Sequence, residues 1–192
     1  MRFSPYKKAI RCLGIAESFN KRVGKKSVLA GVVMRSDLVI DGVSLTHITV
    51  GGMDATKGVI EVYRRLHRSD INVLMLNGCI IAWYNVIDLN QVYGELEIPL
   101  ICVTYRESEG IEGILRKFED ADERIRIYRR NGERTPIKLK TGYRVYVRYY
   151  GLKEKEVRVV LNRFTLSGSI PEPLRVAKLI ARSVLNFSIL KH

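Results

Sequence analysis

Two short, continuous apolar runs place the strongest constraint on the fold of this chain. The run "INVLMLN" spans residues 71–77, and the run "IPLICVTYR" spans residues 98–106. Continuous apolar runs of this length are typical of strands that are buried on both faces of a sheet. The residues between them, "VIDLNQVYGELE" (86–97), fit a helix. The order strand, helix, strand at this spacing predicts a right-handed crossover between parallel strands.

The residues before this crossover predict a meander followed by a helix. Three segments rich in Val, Ile and Leu, at residues 10–16, 28–35 and 38–50, are separated by turn signals that contain Gly or Asp. The segment 54–70 then shows the apolar spacing of a helix. This order of elements matches a ribonuclease H-like core, in which the first and fourth strands lie side by side at the centre of the sheet.

The C-terminal third differs in composition and adds further elements. They are predicted as a helix within residues 109–120, an alternating strand at 141–151, and helices at 152–165 and 169–185. We therefore predict a single α/β domain in which helices flank a mixed central sheet. Its core spans about residues 8–120, and a C-terminal α/β extension spans about residues 121–192.

The formal net charge of the chain is +13, and it is unevenly distributed. Residues 1–35 carry nine Lys and Arg against one acid, residues 36–123 carry seven against fifteen, and residues 124–163 carry thirteen against three. Two basic blocks therefore flank an acidic middle, which favours a polyanionic partner such as nucleic acid. The alternative is a generally basic, solvated surface without a dedicated partner.

The alternating strand at 141–151 carries the most specific signal for nucleic acid. Cations alternate with aromatic rings on one of its faces, as on single-strand-binding platforms, at Arg144, Tyr146, Arg148 and Tyr150. The alternative is ordinary decoration of an edge strand. Further candidate phosphate contacts are Arg124, Arg126, Arg129, Arg130, Arg175, Lys7, Lys8, Lys21, Lys25 and Lys26. Arg175 also has a structural interpretation, as the partner of Glu172 in the final helix.

Familiar catalytic signatures are missing from the sequence. It contains no G-x-S-x-G, no H-E-x-x-H and no phosphate-binding loop, and its three His residues are scattered. Cys12, Cys79 and Cys102 lie in apolar segments without the spacing of a metal site, so we expect buried free thiols. A zinc or histidine-base mechanism therefore has little support, and phosphate-loop and metallohydrolase functions are set aside.

Five segments carry a resemblance to a known family. They are "LGIAESF" (13–19), "VGGMDAT" (50–56), "LNGCIIAWYNVIDL" (76–89), "IPLICV" (98–103) and "IPEPLRVAKLIA" (170–181). Through them the chain resembles, over nearly its whole length, the archaeal domain-of-unknown-function ninety-nine family, which is related to endonuclease V. The last segment is the most specific, because the family has a Pro-Glu-Pro-Leu-Arg-Val-Ala-His run there and this chain departs from it only at Lys178.

The resemblance implies a divalent-metal nuclease site, and the chain departs from the family at the implied ligands. Ala16 stands where the family has its first-strand aspartate, Asn77 where the fourth-strand aspartate belongs, and Gly51 where a further aspartate precedes "DAT". Alanine offers no ligand atom, and an amide oxygen binds Mg²⁺ more weakly than a carboxylate. Because two-metal nucleases need converging carboxylates, we expect a degenerate site.

Four residues remain as candidates for catalysis, at Asp54, Glu17, Asn77 and Asp88. The first three are also the candidate ligands for Mg²⁺ or Mn²⁺. Asp54 precedes a helix and alternatively fits an N-cap, and Asp88 alternatively fits local hydrogen bonding in the first turn of a helix. Glu17 points to the opposite face of its strand from Ala16 unless the strand bends.

These observations leave three functions open. The leading hypothesis is a nucleic-acid-binding protein of the endonuclease V-like fold with a degenerate metal and nuclease site. The alternatives are an active Mg²⁺-dependent endonuclease on modified or structured nucleic acid, and a scaffold whose acidic segment 107–123 binds a protein. No stretch approaches the roughly 20 apolar residues of a membrane span and no signal-peptide pattern is present, so we predict a cytoplasmic protein. The oligomeric state stays open.

Overall fold

The structure, a computed structural model, describes residues 5–21, 24–107 and 110–189. In these ranges the strands are β1 (Arg11–Ser18), β2 (Lys26–Arg35), β3 (Ile40–Thr49), β4 (Val73–Leu76), β5 (Ile80–Ile81), β6 (Asn85–Val86), β7 (Leu100–Thr104), β8 (Thr135–Lys138) and β9 (Arg144–Tyr150). The helices are α1 (Ala55–Arg65), α2 (Leu89–Leu96), α3 (Glu112–Leu115), α4 (Ala121–Arg130), α5 (Glu154–Phe164) and α6 (Glu172–Ile189). None of these helices is long and apolar enough to cross a membrane.

Seven of these strands form one mixed sheet in the order β3-β2-β1-β4-β7-β9-β8. β2 pairs antiparallel with both β1 and β3, which confirms the predicted meander. β4 lies parallel to both β1 and β7, and α2 connects β4 to β7, which confirms the predicted parallel crossover. The first and fourth strands of the chain are therefore neighbours at the centre of the sheet.

Helices cover both faces of the sheet through two apolar layers. On one face, Leu13 of β1 and Leu76 of β4 lie in the core that also contains Val59 of α1 and residues of α2. On the other face, Met75 of β4 packs with residues of α5 and with Leu174 of α6. Successive residues of a strand point to opposite faces, so the position of a residue along β1 or β4 determines which helices it meets.

Gly14 allows α6 to lie unusually close to β1. A Cβ atom at position 14 would lie 2.5 Å from the backbone carbonyl carbon and from the Cβ of Pro173, well inside van der Waals contact. Because α6 also carries Arg175 and Lys178, this close approach determines where two cations lie relative to the ends of the central strands.

Several elements were not predicted from the sequence. α4 buries only Arg124 and Ile127 among its residues, so its apolar periodicity is too weak to be recognised. β8 contains Pro136, a residue that is depleted in strands but tolerated at a sheet edge. β5 and β6 are two residues each and pair as a separate hairpin, and α2 therefore begins at Leu89 rather than at residue 86.

β9 lies inside the sheet, between β7 and β8. The interpretation of its Arg and Tyr residues as edge-strand decoration is therefore wrong, because β8 forms the edge. β8 and β9 continue the same sheet as β1 to β7. The division of the chain into a core and an extension near residue 120 stays a prediction.

Replacing Gly14 by Ala is expected to destabilise the protein by about 1–3 kcal/mol, because the added methyl group overpacks the contact with Pro173. Urea denaturation followed by circular dichroism measures the change. Gly94→Ala in α2 is the matched control, since a Cβ there meets nothing within 4 Å and Ala favours a helix interior by roughly 0.5–1 kcal/mol. Equal effects of the two substitutions would contradict the close packing of α6 on β1.

Candidate functional site

The carboxyl ends of β1, β4 and β7 meet at one edge of the sheet, because these strands run parallel. Ligands of open α/β sheets bind outside this edge. Ala16 and Glu17 lie at the end of β1, Asn77 follows β4, and Tyr105 follows β7. This carboxyl edge is therefore the candidate functional site.

Ala16 and Asn77 are neighbours at the centre of the carboxyl edge. Ile15 pairs with Leu76, and the backbone N–H of Asn77 donates to the carbonyl oxygen of Ile15 at 3.0 Å. Ala16 is 3% exposed and packs against Ala177 of α6. The two positions at which the resemblance implies aspartates are thus adjacent, as the strand order predicted, and neither carries a carboxylate.

The side-chain oxygen of Asn77 is engaged by Tyr105, a residue that the sequence did not single out. The Tyr105 hydroxyl donates to Oδ1 of Asn77 at 2.8 Å. Burial raises the pKa of Tyr105 well above its ordinary value, so the hydroxyl stays protonated and remains a donor at neutral pH. The hydrogen bond uses one of the two lone pairs on the one oxygen that the Asn77 side chain offers to a metal.

The side chain of Glu17 points to the opposite face of the sheet from that of Ala16. Ile15, two residues before it, lies in the core beneath α1 and α2, whereas Ala16 packs against α6. Oε2 of Glu17 accepts a hydrogen bond from the Ser27 hydroxyl at 3.2 Å, and Oε1 lies 3.7 Å from Nζ of Lys178. Lys178 also donates to the carbonyl oxygen of Glu17 at 2.5 Å. The carboxylate therefore already has a cationic partner.

The carboxylate of Asp54 accepts hydrogen bonds from Thr49 and from Asn85. Its carboxylate binds the backbone N–H of Thr49 at 3.0 Å, the Thr49 hydroxyl at 2.8 Å and the Asn85 side-chain amide at 2.7 Å. Among the described residues, Asp54 makes no side-chain cap bond to α1, and Oδ1 of Asn85 accepts from the N–H of Ala55 at 3.0 Å instead. Asp54 therefore holds the N-cap position of α1, but the predicted capping bond of its side chain is wrong, because its carboxylate oxygens tie the end of β3 to Asn85.

Asp88 forms local hydrogen bonds in the first turn of α2, which is one of the two roles considered from the sequence. Its side chain accepts from the N–H of Gln91 at 3.1 Å and so caps α2, and its carboxylate also forms an ion pair with Arg130. Asp88 is 2% exposed, and its own N–H donates to the Thr56 hydroxyl at 2.9 Å. Its oxygens are used within the fold, which corrects the expectation of a catalytic carboxylate at this position.

The side chains at the carboxyl edge do not fit a pair of divalent metal ions. Two ions held roughly 3.5–4 Å apart need bridging carboxylates at the strand ends. Asp54 accepts hydrogen bonds from three donor groups, Glu17 pairs with Lys178, and the amide of Asn77 is hydrogen-bonded to a tyrosine. In the part of the chain that the structure describes, no three His, Cys, Asp or Glu side chains are grouped so that they could hold a metal ion.

Arg124 fixes the loops that frame the carboxyl edge. Its side chain is 2% exposed and donates to the carbonyl oxygens of Gly51 at 2.7 Å, Gly52 at 3.1 Å and Tyr84 at 2.5 Å. Asp120 accepts two further bonds from it, at 2.5 and 2.9 Å. The planar guanidinium presents several donors in fixed directions, so one side chain can hold two loops together. The expected phosphate contact at Arg124 is thus corrected to a structural role.

A groove of about 650 Å³ lies between β9 and α4. Tyr146 and Arg134 line it, and the guanidinium carbon of Arg134 lies 5.6 Å from the centre of the Tyr146 ring. Tyr128 and Arg129 of α4 line it as well. Cations and rings therefore line the groove together from β9, α4 and the segment between α4 and β8, rather than alternating along one strand. Three carboxylates also line the groove, at Glu107, Glu112 and Glu133.

Arg148 is almost buried, at 6% exposure, although the sequence placed it on an open platform. Its guanidinium donates to the carbonyl oxygen of Gly132 at 2.6 Å and to Sγ of Cys79 at 3.4 Å. A hydrogen bond with Cys102 and the charge of Arg148 lower the pKa of Cys79 to about 7, against the opposing effect of burial. The positive charge of Arg148 therefore stabilises the deprotonated form of the buried Cys79 thiol. The three cysteines are free and buried, as predicted.

The other predicted nucleic-acid contacts differ in how closely they are paired with acidic side chains. Three arginines have acidic partners, Arg129 with Glu112, Arg130 with Asp88 and Arg175 with Glu172. The last pair confirms the structural interpretation of Arg175. Arg126 and Arg144 are exposed. The Tyr150 hydroxyl donates to the carbonyl oxygen of Asn131 at 3.2 Å, so this ring is tied to the loop after α4.

Comparison with known proteins identifies the family. The family model for endonuclease dU matches residues 8–185. The chain belongs to the endonuclease dU family. A UPF0215 protein of Pyrobaculum calidifontis is 36% identical over 177 residues, which cover 91% of this chain and 97% of the relative. The archaeal family expected from the five sequence segments is thereby confirmed.

Two solved structures share the fold of this endonuclease dU family member. A protein of unknown function from Archaeoglobus fulgidus has a TM-score of 0.80 and 28% identity, covering 92% of this chain and 98% of that one. Endonuclease V of Ciona intestinalis, solved with a 24mer DNA that contains an inosine followed by a ribo-adenosine, has a TM-score of 0.63 and 15% identity over 94% and 87% of the two chains. The second similarity shows a common fold and confirms the predicted endonuclease V-like, ribonuclease H-like architecture.

Replacing Arg124 by Ala is expected to cost about 2–4 kcal/mol, because three loop carbonyls lose the charged side chain that donates to them. Urea unfolding measures the loss. Arg126→Ala in the same helix is the control: Arg126 is exposed and lies 3.7 Å from Glu123, so less than about 1 kcal/mol is expected. If the loss of stability at position 124 is no larger than that at position 126, Arg124 does not hold the two loops together.

Proposed function

We propose that this member of the endonuclease dU family binds nucleic acid at the carboxyl edge and that its nuclease metal site is degenerate. The observation that carries the proposal is the adjacent pair Ala16 and Asn77 at the ends of the two central strands. Tyr105 engages the amide of Asn77, and Lys178 lies beside Glu17. Hydrogen bonds and an ammonium group thus occupy the place where a metal nuclease needs free carboxylates.

The distribution of cations supports binding at this edge. Lys25 and Lys26 are exposed at the start of β2, which runs antiparallel to β1 and so begins where β1 ends. Arg144 is exposed at the start of β9, which begins where β7 ends. Each of the two basic blocks of the sequence therefore places exposed cations at the carboxyl edge. A protein of the same fold, endonuclease V of Ciona intestinalis, was solved with DNA, which supports nucleic acid as the partner.

The affinity for a short single-stranded oligonucleotide is expected to fall about fiftyfold between about 50 and 200 mM salt if four phosphates are contacted, because bound counterions are released. Fluorescence anisotropy of a labelled oligonucleotide measures the affinity at each salt concentration. Lys25→Ala with Lys26→Ala should make the salt dependence shallower. The matched control is Lys153→Ala with Lys155→Ala, two exposed lysines at the opposite edge of the sheet. A dependence that is flat for the wild-type protein would remove the proposal and favour a protein-binding scaffold.

Restoring the two missing carboxylates is expected to create a cation site. Wild-type protein should give no Mn²⁺-dependent rise in its unfolding temperature, whereas Ala16→Asp combined with Asn77→Asp should give one, because a ligand that binds only the folded state stabilises it. Differential scanning fluorimetry and calorimetric titration with Mn²⁺ alone measure this. Ala16→Asn in the wild-type background is the control, since it adds the same volume without charge.

The same proteins should be tested for cleavage of oligonucleotides that contain deoxyuridine or inosine, with Mg²⁺ and with Mn²⁺. Wild-type protein is expected to bind without cutting. Metal-dependent cleavage by the wild-type chain that is lost in Asp54→Ala would overturn the degenerate site and establish an active endonuclease. In that case Glu17 and Asn77, with Asp54, become the ligands to examine.

A further inference from the structure

The turn that joins β5 to β6 has an unusual backbone conformation. Ala82, Trp83 and Tyr84 have φ angles of 40°, 61° and 64°, all in the left-handed region. This region is unfavourable for residues that carry a Cβ atom. Three such residues in succession persist only where the surrounding structure holds them, and strain of this kind concentrates at functional sites.

Both ends of this turn are tied to the protein. The N–H of Gly51 donates to the carbonyl oxygen of Ala82 at 2.7 Å, and Arg124 donates to the carbonyl oxygen of Tyr84 at 2.5 Å. The Tyr84 ring packs against Phe118, with ring centres 5.5 Å apart. The residue between them, Trp83, is held at the tip of the turn with 42% of its surface exposed.

The surroundings of Trp83 are chemically suited to a nucleotide. The ammonium group of Lys21 lies over the face of the indole ring, and the Tyr84 ring meets the indole edge-on at 5.0 Å between centres. An exposed ring of this size stacks on any nucleobase, and a cation beside it can bind the adjacent phosphate. The Lys21 side chain is itself exposed, so a base can displace it from the ring.

The turn lies beside the carboxyl edge. Thr49, the last residue of β3, pairs with Lys26 at the start of β2. Asn85, directly after the turn, donates to the carbonyl oxygen of Thr49 at 2.9 Å and to Asp54. Trp83 is therefore attached to the same edge at which Lys25 and Lys26 are exposed.

We propose that Trp83 is a stacking platform for an unpaired nucleobase and that Lys21 binds the neighbouring phosphate. The inference rests on the proposed nucleic-acid binding and adds the side chain that contacts the base. A stacked base takes the place of the ammonium over the indole, and the ammonium moves to the phosphate. Bases inside a duplex have their faces covered, so the ligand class is single-stranded or locally unpaired nucleic acid.

The chain offers a direct test, because Trp83 is its single tryptophan. Intrinsic tryptophan fluorescence therefore reports on this ring alone. The wild-type protein is titrated with an unlabelled oligothymidylate, and the same oligonucleotide with a fluorescent label is used for anisotropy in parallel. We expect the tryptophan emission to be quenched with the same midpoint as the anisotropy change.

Variants separate the two parts of the proposal. Trp83→Ala should weaken oligonucleotide binding by about tenfold or more, and Trp83→Phe should retain most of the affinity, because stacking tolerates a smaller ring. Tyr6→Ala is the matched control, because Tyr6 is an exposed aromatic residue beside the opposite, amino end of β1 and its removal should leave the affinity unchanged. Lys21→Ala should reduce the slope of log affinity against log salt by about 0.7, the value for one phosphate on a single strand. Circular dichroism and unfolding temperatures verify that each variant is folded.

The outcomes distinguish this inference from the proposed function. Binding by anisotropy without tryptophan quenching, and with equal affinity of the wild-type protein and Trp83→Ala, would overturn the stacking platform and leave nucleic-acid binding intact. Absence of an anisotropy change for the wild-type protein would overturn both. An affinity loss in Tyr6→Ala as large as the loss in Trp83→Ala would show a general surface effect and would likewise count against a dedicated platform.

Discussion

The parallel pairing of β1 with β4 is the constraint on which the rest of the structure depends. Both strands are buried on both faces, so helices must cover the sheet on either side, and Gly14 permits α6 to do so at close range. The pairing also makes Ala16 and Asn77 neighbours. In a metal nuclease this neighbourhood concentrates negative charge, which a bound cation must neutralise. In this protein the apolar side chain of Ala16 and the hydrogen-bonded amide of Asn77 occupy these two positions. The folded chain therefore has no repulsion between carboxylates at this point that a cation would need to neutralise.

The sequence predicted those parts of the fold whose apolar pattern is strong. The meander and the parallel crossover were recognised because their residues are buried continuously or alternate with a clear period. α4 was missed because one of its two buried residues is an arginine, which hydrophobic periodicity counts as polar. The hairpin of β5 and β6 was missed because two-residue strands are too short to show alternation, and its turn uses left-handed residues other than glycine.

The candidate site was predictable in its position but not in its contacts. Strand order placed Ala16 beside Asn77, because register follows from which strands are paired. Which arginines face solvent was not predictable from the sequence. Arg124 and Arg148 lie in basic segments like those that bind phosphate, and only the fold shows that their guanidinium groups are buried against hydrogen-bonding partners. Tyr105 was missed for the same reason, because a neutral hydrogen-bonding side chain gains its role from a partner far away in the chain.

The proline in β8 has a consequence for how molecules of this protein meet one another. β8 is the outermost strand on its side of the sheet, and Pro136 lies opposite Tyr146 in the middle of it. A proline has no N–H to donate, and the exposed Lys138 adds charge at the end of the same strand. An incoming strand from a second molecule would find an incomplete ladder there. The addition of a strand from another molecule is thus disfavoured at the edge of the sheet that β8 forms. This feature protects the protein from edge-to-edge aggregation.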